Sequence, residues 1–161
     1  MVKVSAILLG AGESKRMGFD KLSLPWGEKT VFEHCLNTLL QSKVKEVVAV
    51  LSDRTKEMVS QFKGRKLKVV MNPHYRRGMS TSIRRGIQTI DPSVEGILIA
   101  LGDQPFLKTR TVNALIHAFA RGEKGIIVPS FRRRKGHPVI FHKRYRKELL
   151  ELEGDVGGRI I

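Results

Sequence analysis

The segment whose residues are best suited to chemistry runs from Gly10 to Lys21, directly after an apolar run. Its three glycines allow the backbone to approach a ligand closely and to adopt positive φ. Backbone N–H groups in such a loop can cradle phosphate oxygens, and Arg16 and Lys21 add cationic contacts. A tight basic turn at the surface is the alternative interpretation. Three glycines with three cations directly after a buried strand favour a phosphate-binding loop.

Two commoner phosphate motifs are excluded by their spacing. A P-loop needs Gly, four residues, Gly-Lys and then Ser or Thr, and no such run occurs. The dinucleotide fingerprint needs a third glycine where Lys15 stands, so the close helix packing that this glycine permits is lost.

Asp103 is the candidate metal ligand. It lies in the segment Gly102-Asp103-Gln104-Pro105, which follows an apolar run at 96–101. A carboxylate at the end of a buried strand, beside a phosphate loop, is well placed to bind Mg²⁺ through oxygen. Its alternative role is to cap a helix or form a turn before Pro105.

The remaining polar and aromatic residues do not indicate a zinc site. The five histidines show no metal-ligand spacing; they are His34, His74, His117, His137 and His142. Cys35 is interpreted as a core residue, and Trp26 as a packing anchor.

Apolar runs and helical patterns alternate along the chain, which predicts a three-layer α/β/α fold with a Rossmann-like, mostly parallel sheet. The runs at 47–51 and 97–101 are apolar without alternation, as in strands that are buried on both faces. Strands are predicted at 2–9, 47–51, 67–71, 96–101, 126–128 and 138–141. The 161 residues are expected to form a single domain, residues 1–161.

Helices are predicted between these strands from apolar spacing. Thr30 and Glu33 form a capping-box pattern at the start of the first helix. Asp53 is predicted to cap a second helix that buries Met58, Val59 and Phe62. Further helices are predicted around 83–90, 112–119 and 145–152.

Ligands of such folds bind at the carboxyl ends of the strands, where the strand order reverses. The loops after Leu9, Met71 and Leu101 are therefore expected to form the site. The Gly10–Lys21 loop and Asp103 should share one crevice if the first and fourth strands are neighbours.

Composition restricts the partners. The net charge of +15 indicates anionic ligands. The basic residues are spread over several segments, so a dedicated nucleic-acid-binding role is disfavoured. No apolar run approaches the roughly 20 residues that span a bilayer, so no membrane partner is expected. The single cysteine cannot form an internal disulfide, which favours a cytoplasmic location.

The segments Leu9–Gly18 and Lys21–Trp26 resemble the nucleotide-binding signature of the molybdenum cofactor nucleotidyltransferases, and the Leu24-Pro25 pair favours the cytidylyltransferase branch. The resemblance implies a nucleotidyltransferase-type fold. It also implies that the first loop holds the triphosphate through Leu9, Gly10, Ala11, Gly12, Ser14, Arg16 and Lys21.

Weaker resemblances extend along the chain. Asn72, Gly78 and Ser82 are similar to the family's base and ribose contacts, although ordinary helix capping explains Gly78 and Ser82 as well. By resemblance, Asp103 lies in the family's metal-binding loop. His137, Asp155 and Arg159 lie in segments similar to those near the acceptor.

The resemblance implies transfer of CMP from CTP to the terminal phosphate of molybdenum-molybdopterin, with release of pyrophosphate. It assigns catalytic roles to Arg16, Lys21 and Asp103, with Mg²⁺ as cofactor and a molybdoenzyme or its chaperone as further partner. The alternatives are the same chemistry with GTP, and a non-catalytic cofactor-binding or basic nucleic-acid-binding protein. Family members continue beyond the position of Ile161, so either the chain is naturally short or the sequence lacks a C-terminal segment.

Overall fold

The computed structural model describes residues 2–11, 21–62, 64, 66–122, 124–131 and 134–154, with the backbone alone for 130, 131, 134 and 135. The strands are β1 (Val4–Gly10), β2 (Pro25–Trp26), β3 (Lys29–Thr30), β4 (Glu46–Leu51), β5 (Leu67–Met71), β6 (Gly96–Leu101), β7 (Ile126–Ile127), β8 (Ser130–Phe131), β9 (Arg134–Lys135) and β10 (Val139–His142). The helices are α1 (Val31–Leu40), α2 (Met79–Thr89), α3 (Thr109–Ala120) and α4 (Arg146–Leu150).

Six strands form the central sheet in the order β5-β4-β1-β6-β10-β7. The first four run parallel, and β10 is antiparallel to both β6 and β7. After β1 the chain builds β4 and β5 on one side and then crosses to β6 on the other side. The strand order therefore reverses at β1, between β4 and β6, and the predicted mostly parallel sheet is confirmed.

Helices cover both faces of this sheet, which confirms the three-layer prediction. Ala6 and Leu8 of β1 face one core, which also holds the apolar residues of α1 and α3. Ile7 and Leu9 face the other core, with those of α2 and α4. Successive side chains of a strand point to opposite faces, so a run buried on both faces must be apolar throughout.

The start of α1 confirms the capping-box prediction. The Thr30 hydroxyl accepts a hydrogen bond from the Glu33 N–H at 3.1 Å, and the Glu33 carboxylate accepts one from the Thr30 N–H at 3.0 Å. Two of the unpaired N–H donors at this helix terminus are thereby satisfied.

The helix predicted after Asp53 is wrong. The chain forms only a 3-10 turn at Lys56–Val59, and its cap position is Thr55, without a side-chain capping bond. The Thr55 hydroxyl instead donates to the Gly10 carbonyl oxygen at 2.7 Å and accepts from the Ser52 N–H at 3.0 Å. A contact with β1, distant in sequence, therefore fixes this segment.

The predicted C-terminal helix is shorter than its apolar pattern. It consists of a 3-10 turn at Lys143–Tyr145 followed by α4. The Arg84 guanidinium donates to the carbonyl oxygens of Leu150 at 3.1 Å and Leu152 at 2.9 Å. These carbonyls at the helix end thus bind a side chain of α2. No helix in the described part of the chain could cross a bilayer.

Candidate active site

The loops after β1 and β6 are joined at the carboxyl edge of the sheet. Leu9 and Leu101 are register partners in neighbouring parallel strands. The Gly102 N–H donates to the Leu9 carbonyl oxygen at 3.0 Å. The expectation that the first and fourth strands are neighbours is confirmed, and the two loops leave the sheet at one point of strand-order reversal.

Both ends of the predicted phosphate loop lie at this edge. Gly10 ends β1, Ala11 is fully buried, and Leu9 is 9% exposed. Lys21 begins a 3-10 turn, Lys21–Ser23, whose Leu22 packs into the core beside α1. The other predicted residues of this loop lie outside the described residues; they are Gly12, Ser14 and Arg16.

Asp103 lies on an exposed turn directly after β6. It stands near the buried thiol of Cys35. Burial raises the pKa of that thiol to about 11, and the negative charge of Asp103 contributes to the rise. The backbone of Gln104, in the same turn, partly opposes this rise in the pKa of Cys35.

The donor set at Asp103 fits a hard divalent cation and not zinc. Within the described ranges, no group of three or more His, Cys, Asp and Glu residues could hold a metal. A single exposed carboxylate suits Mg²⁺ or Mn²⁺, because substrate phosphates and water commonly complete the oxygen shell of such ions.

Asn72 follows β5, and its side chain forms hydrogen bonds with the segment that leads into α2. It is 1% exposed, and its amide donates to the hydroxyls of Thr81 and Ser82, both at 2.9 Å. Its side-chain oxygen accepts from the His74 N–H at 3.0 Å. Ser82 is 4% exposed. These bonds support the loop, and the roles of Asn72 and Ser82 as ligand contacts stay predictions.

Gly78 stands at the start of α2 with φ of 119° and ψ of 169°. A side chain at this φ would be strained, so the sharp entry into the helix needs glycine. Ser80, in the first turn, donates its N–H to the Gly154 carbonyl oxygen at 3.2 Å. The C-terminal part of the described chain thereby reaches the α2 terminus.

His137 precedes β10 at a cis peptide bond to Pro138. Val139 pairs with Ile99 in the antiparallel register, so the chain before it continues towards the carboxyl end of β6. His137 and Asp103 thus belong to the same edge of the sheet. Asp155 and Arg159, the other predicted acceptor residues, lie outside the described residues.

The β8–β9 hairpin also follows a strand that ends at this edge, because β7 and β6 are both antiparallel to β10 and therefore run in the same direction. The β8–β9 hairpin lies between β7 and β10, and Gly136 closes it with an N–H···O bond of 3.0 Å to Pro129. Arg132 and Arg133 lie outside the described residues.

Three features of the site are absent from the sequence prediction. The ring of Phe32 lies under Gly10 and Gly102. Thr55 binds the Gly10 carbonyl oxygen. Phe106 is 80% exposed and meets Trp26 edge to face, with ring centroids 5.0 Å apart. The sequence shows an aromatic residue, Phe106, directly after the segment that contains Asp103, so this residue could have been found. The contacts of Phe32 and Thr55 depend on the strand order, which the sequence does not show.

Residues 6–161 match the model of the MobA-like NTP transferase domain, and the chain belongs to this family of nucleotidyltransferases. The match includes β1 from Ala6 onward, β6 and the segments that follow both strands. The recognition of a molybdenum cofactor type of nucleotidyltransferase from the two loop motifs is confirmed at the family level.

Three relatives differ in their named reactions. The molybdenum cofactor cytidylyltransferase of Escherichia coli K12 is 26% identical over 89% of this chain and 72% of its own length. Nicotine blue oxidoreductase of Paenarthrobacter nicotinovorans is 30% identical over 98% and 80%. A probable molybdenum cofactor guanylyltransferase of Natranaerobius thermophilus is 29% identical over 87% and 67%.

Solved structures share the fold. Rv0371c from Mycobacterium tuberculosis H37Rv superposes with a TM-score of 0.83 at 26% identity, covering 97% of this chain and 79% of that one. A manganese complex of Rv0371c superposes with a TM-score of 0.77 at 24% identity, covering 96% and 78%.

Proposed function

We propose that this protein transfers CMP from CTP to the terminal phosphate of molybdenum-molybdopterin and releases pyrophosphate. The observation that carries the proposal is the junction of β1 and β6. The Gly102-to-Leu9 hydrogen bond of 3.0 Å joins the start of a glycine-rich basic loop to a turn bearing an exposed carboxylate. Binding of a triphosphate needs the basic loop and the carboxylate, because cations and a carboxylate-bound metal together balance its negative charge.

The reaction exchanges one phosphoanhydride bond for another. An oxygen of the acceptor phosphate attacks the α-phosphorus of CTP, and a new P–O–P bond forms. The bond from the α-phosphorus to the oxygen bridging it to the β-phosphate breaks, and pyrophosphate leaves with the electron pair. The attacking oxygen is ionised at neutral pH, so no general base is needed and none is proposed.

The roles proposed for the chain are binding and charge stabilisation. Backbone N–H groups of the loop after β1, together with Arg16 and Lys21, hold the triphosphate and stabilise the charge that develops during transfer. Asp103 would hold the divalent metal, which when bound neutralises charge on the α-phosphate and the leaving group. His137 would lie on the acceptor side.

The metal and the nucleotide are proposed from separate observations. The manganese complex of Rv0371c is consistent with a divalent cation at this fold. We propose Mg²⁺ because a lone carboxylate with phosphate oxygens suits an ion that retains water. The Leu24-Pro25 pair supports CTP, whereas a relative named as a guanylyltransferase keeps GTP as the second candidate.

The test supplies the protein with Mg²⁺, a molybdopterin acceptor and each of CTP, GTP, ATP and UTP in turn. Pyrophosphate release and the nucleotidylated product are measured together. Release with CTP above the other nucleotides supports the proposal, and preferential release with GTP replaces CTP in it. Mg²⁺-dependent nucleotide binding without release under any condition favours a cofactor-binding protein. Salt-sensitive binding of DNA with no nucleotide binding favours the nucleic-acid alternative.

Asp103→Asn tests the metal role within the same assay. The substitution keeps the side-chain shape and removes the charge, so the fold should persist. The rate of pyrophosphate release should fall by an amount that corresponds to the loss of several kcal/mol of transition-state stabilisation. Asp53→Asn is the matched control, because Asp53 is also exposed and follows β4 at the same edge. Equal release by wild type and Asp103→Asn would remove Asp103 from the metal site.

A further inference from the structure

One aromatic ring fills the space beneath the ends of two neighbouring strands. Phe32 of α1 is fully buried. A Cβ placed on Gly10 would lie 2.5 Å from Phe32 Cε2, and one placed on Gly102 would lie 2.6 Å from Phe32 Cδ2. Both distances are too short for carbon atoms, so the ring occupies the volume that side chains at Gly10 and Gly102 would need.

This packing lies directly below the proposed site. Gly10 ends β1, from which the phosphate loop departs, and Gly102 begins the turn that carries Asp103. One helical turn after Phe32, the Cys35 thiol lies near Asp103 and the Gln104 backbone of that turn. The same face of α1 therefore contacts both departing loops.

We propose that Phe32 is a positioning residue that sets the separation between Gly10, from which the proposed phosphate loop departs, and Gly102, which begins the turn that carries Asp103. The roles of this loop and of Asp103 rest on the proposed function. Contact of the ring with the nucleotide or the metal is not part of the proposal. It acts by filling a close-packed interior, where a smaller side chain leaves a cavity and lets the two strand ends shift. Misplacement of about 1 Å at a reacting centre can reduce rates about 100-fold.

The two glycines differ in what surrounds them, and this difference provides a test. The atoms nearest a Cβ on Gly10 all belong to side chains, namely Cε2 and Cζ of Phe32 and Cδ2 of Leu51. A Cβ on Gly102 would also lie 2.8 Å from the Leu9 carbonyl oxygen, which is backbone. Replacing Phe32 by Leu removes the outer ring atoms but cannot move that carbonyl.

The first experiment measures the thermal unfolding midpoints of wild type, Phe32→Leu, Gly10→Ala, Gly102→Ala and the two double variants. Gly10→Ala should lower the midpoint, and adding Phe32→Leu should raise it again. Adding Phe32→Leu to Gly102→Ala should give no such recovery. The inference is overturned if Phe32→Leu fails to raise the midpoint of Gly10→Ala, because the ring would then not determine the position of β1.

The second experiment titrates Mg²⁺ at fixed CTP and measures nucleotide binding by folded Phe32→Leu. The Mg²⁺ concentration for half-maximal binding should rise about tenfold, within the range expected for small misplacements. Leu39→Ala is the matched control, since Leu39 is also fully buried on α1 and lies in the same core, two helical turns from Phe32. This variant should lower the unfolding midpoint and leave the Mg²⁺ requirement at the wild-type value.

The outcomes separate the inference from the proposed function. Wild-type Mg²⁺ dependence in folded Phe32→Leu overturns the inference while CTP binding by wild type keeps the proposed function intact. If wild type binds no nucleotide, the proposed function fails. The thermal experiment alone then decides the inference. A higher unfolding midpoint of Gly10→Ala after addition of Phe32→Leu supports it, and an unchanged or lower midpoint overturns it.

Discussion

Lys21 is the described cation at the far end of the predicted phosphate loop, and it lies outside β1, in the 3-10 turn Lys21–Ser23. Lys21→Ala should cost about 1.5–3 kcal/mol of CTP affinity, the range for a hydrogen bond to a charged group. Calorimetric titration with CTP measures this loss. Lys124→Ala is the control, because Lys124 is exposed and precedes β7 at the amino edge of the sheet. Unchanged affinity in Lys21→Ala would contradict the phosphate role.

Asn72 offers a second prediction for a single residue, and it separates support from ligand contact. Asn72→Ala removes the partner of the Ser82 hydroxyl and of the His74 N–H, whereas the Thr81 hydroxyl keeps its bonds to the carbonyl oxygens of His74 and Gly78. The loss should destabilise the fold by about 1–3 kcal/mol, as for buried polar groups left unpaired. Chemical unfolding measures it. A fully stable variant with weakened CTP binding would show instead that Asn72 contacts the ligand directly.

Residues whose chemistry is local can be selected from the sequence alone. The phosphate loop and Asp103 are selected from residue types next to apolar runs, and the hydrogen bond between Gly102 and Leu9 joins the strand ends from which they depart. Their roles in the site stay predictions. The contribution of Phe32 could not be predicted, because it depends on β1 and β6 being neighbours and on two glycines lacking side chains. The support that Asn72 gives to the neighbouring loop could not be predicted either, because burial cannot be assigned from a loop motif.

The bounds of secondary-structure elements agree with the prediction where a single sequence pattern dominates. The predicted strands at 67–71 and 96–101 have the same bounds in β5 and β6, because these short apolar runs are flanked by polar turns. The segment after Asp53 shows the opposite case. Its apolar residues Met58, Val59 and Phe62 are only partly buried, and the Thr55 bond to Gly10 holds it as a turn. A hydrogen bond between residues distant in sequence here outweighs helical spacing.

The amino edge of the sheet contains a buried carboxylate that makes stability depend on pH. Glu46 of β4 accepts hydrogen bonds from the Ser5 hydroxyl at 2.5 Å and the Asp91 N–H at 2.7 Å. It also pairs with Lys68 at 2.7 Å. Burial alone would raise the pKa of Glu46, but the bonds from Lys68, Ser5 and Asp91 together lower it below its ordinary value.

A lowered pKa in the folded state means that Glu46 contributes stability above the unfolded-state value, about 4.3, and loses it as the pH falls through the folded-state value. Glu46→Gln should therefore destabilise the protein by about 1.5–3 kcal/mol at pH 7, the range for charged hydrogen bonds. The difference from wild type should shrink below about pH 4. Guanidinium unfolding of both proteins at pH 7 and pH 3 tests this, and an equal difference at both values would contradict it.

At the scale of the whole molecule, the feature to explain is the net charge of +15. β1, β6 and β7 end at one edge of the sheet, and the predicted phosphate loop, Asp103 and the basic run 132–135 follow these strands in the sequence. A field of one sign at that edge should raise the encounter rate of anionic ligands, and salt should screen it over about 10 Å at 0.1 M. Charge elsewhere on the surface should contribute less.

Replacing Arg132, Arg133, Arg134 and Lys135 by Gln tests this account against a variant with the same loss of charge. The control replaces four exposed cations at the amino edge: Lys43, Arg121, Lys124 and Lys143. At low salt the first variant should show kcat/KM for the acceptor reduced about tenfold, the lower end of electrostatic steering, and the control should change little. At 0.5 M salt the three proteins should converge, because exposed charges are then screened within a few ångströms. Equal losses in both variants would assign the effect to net charge alone, and no loss in either would make the run 132–135 an ordinary solvated hairpin.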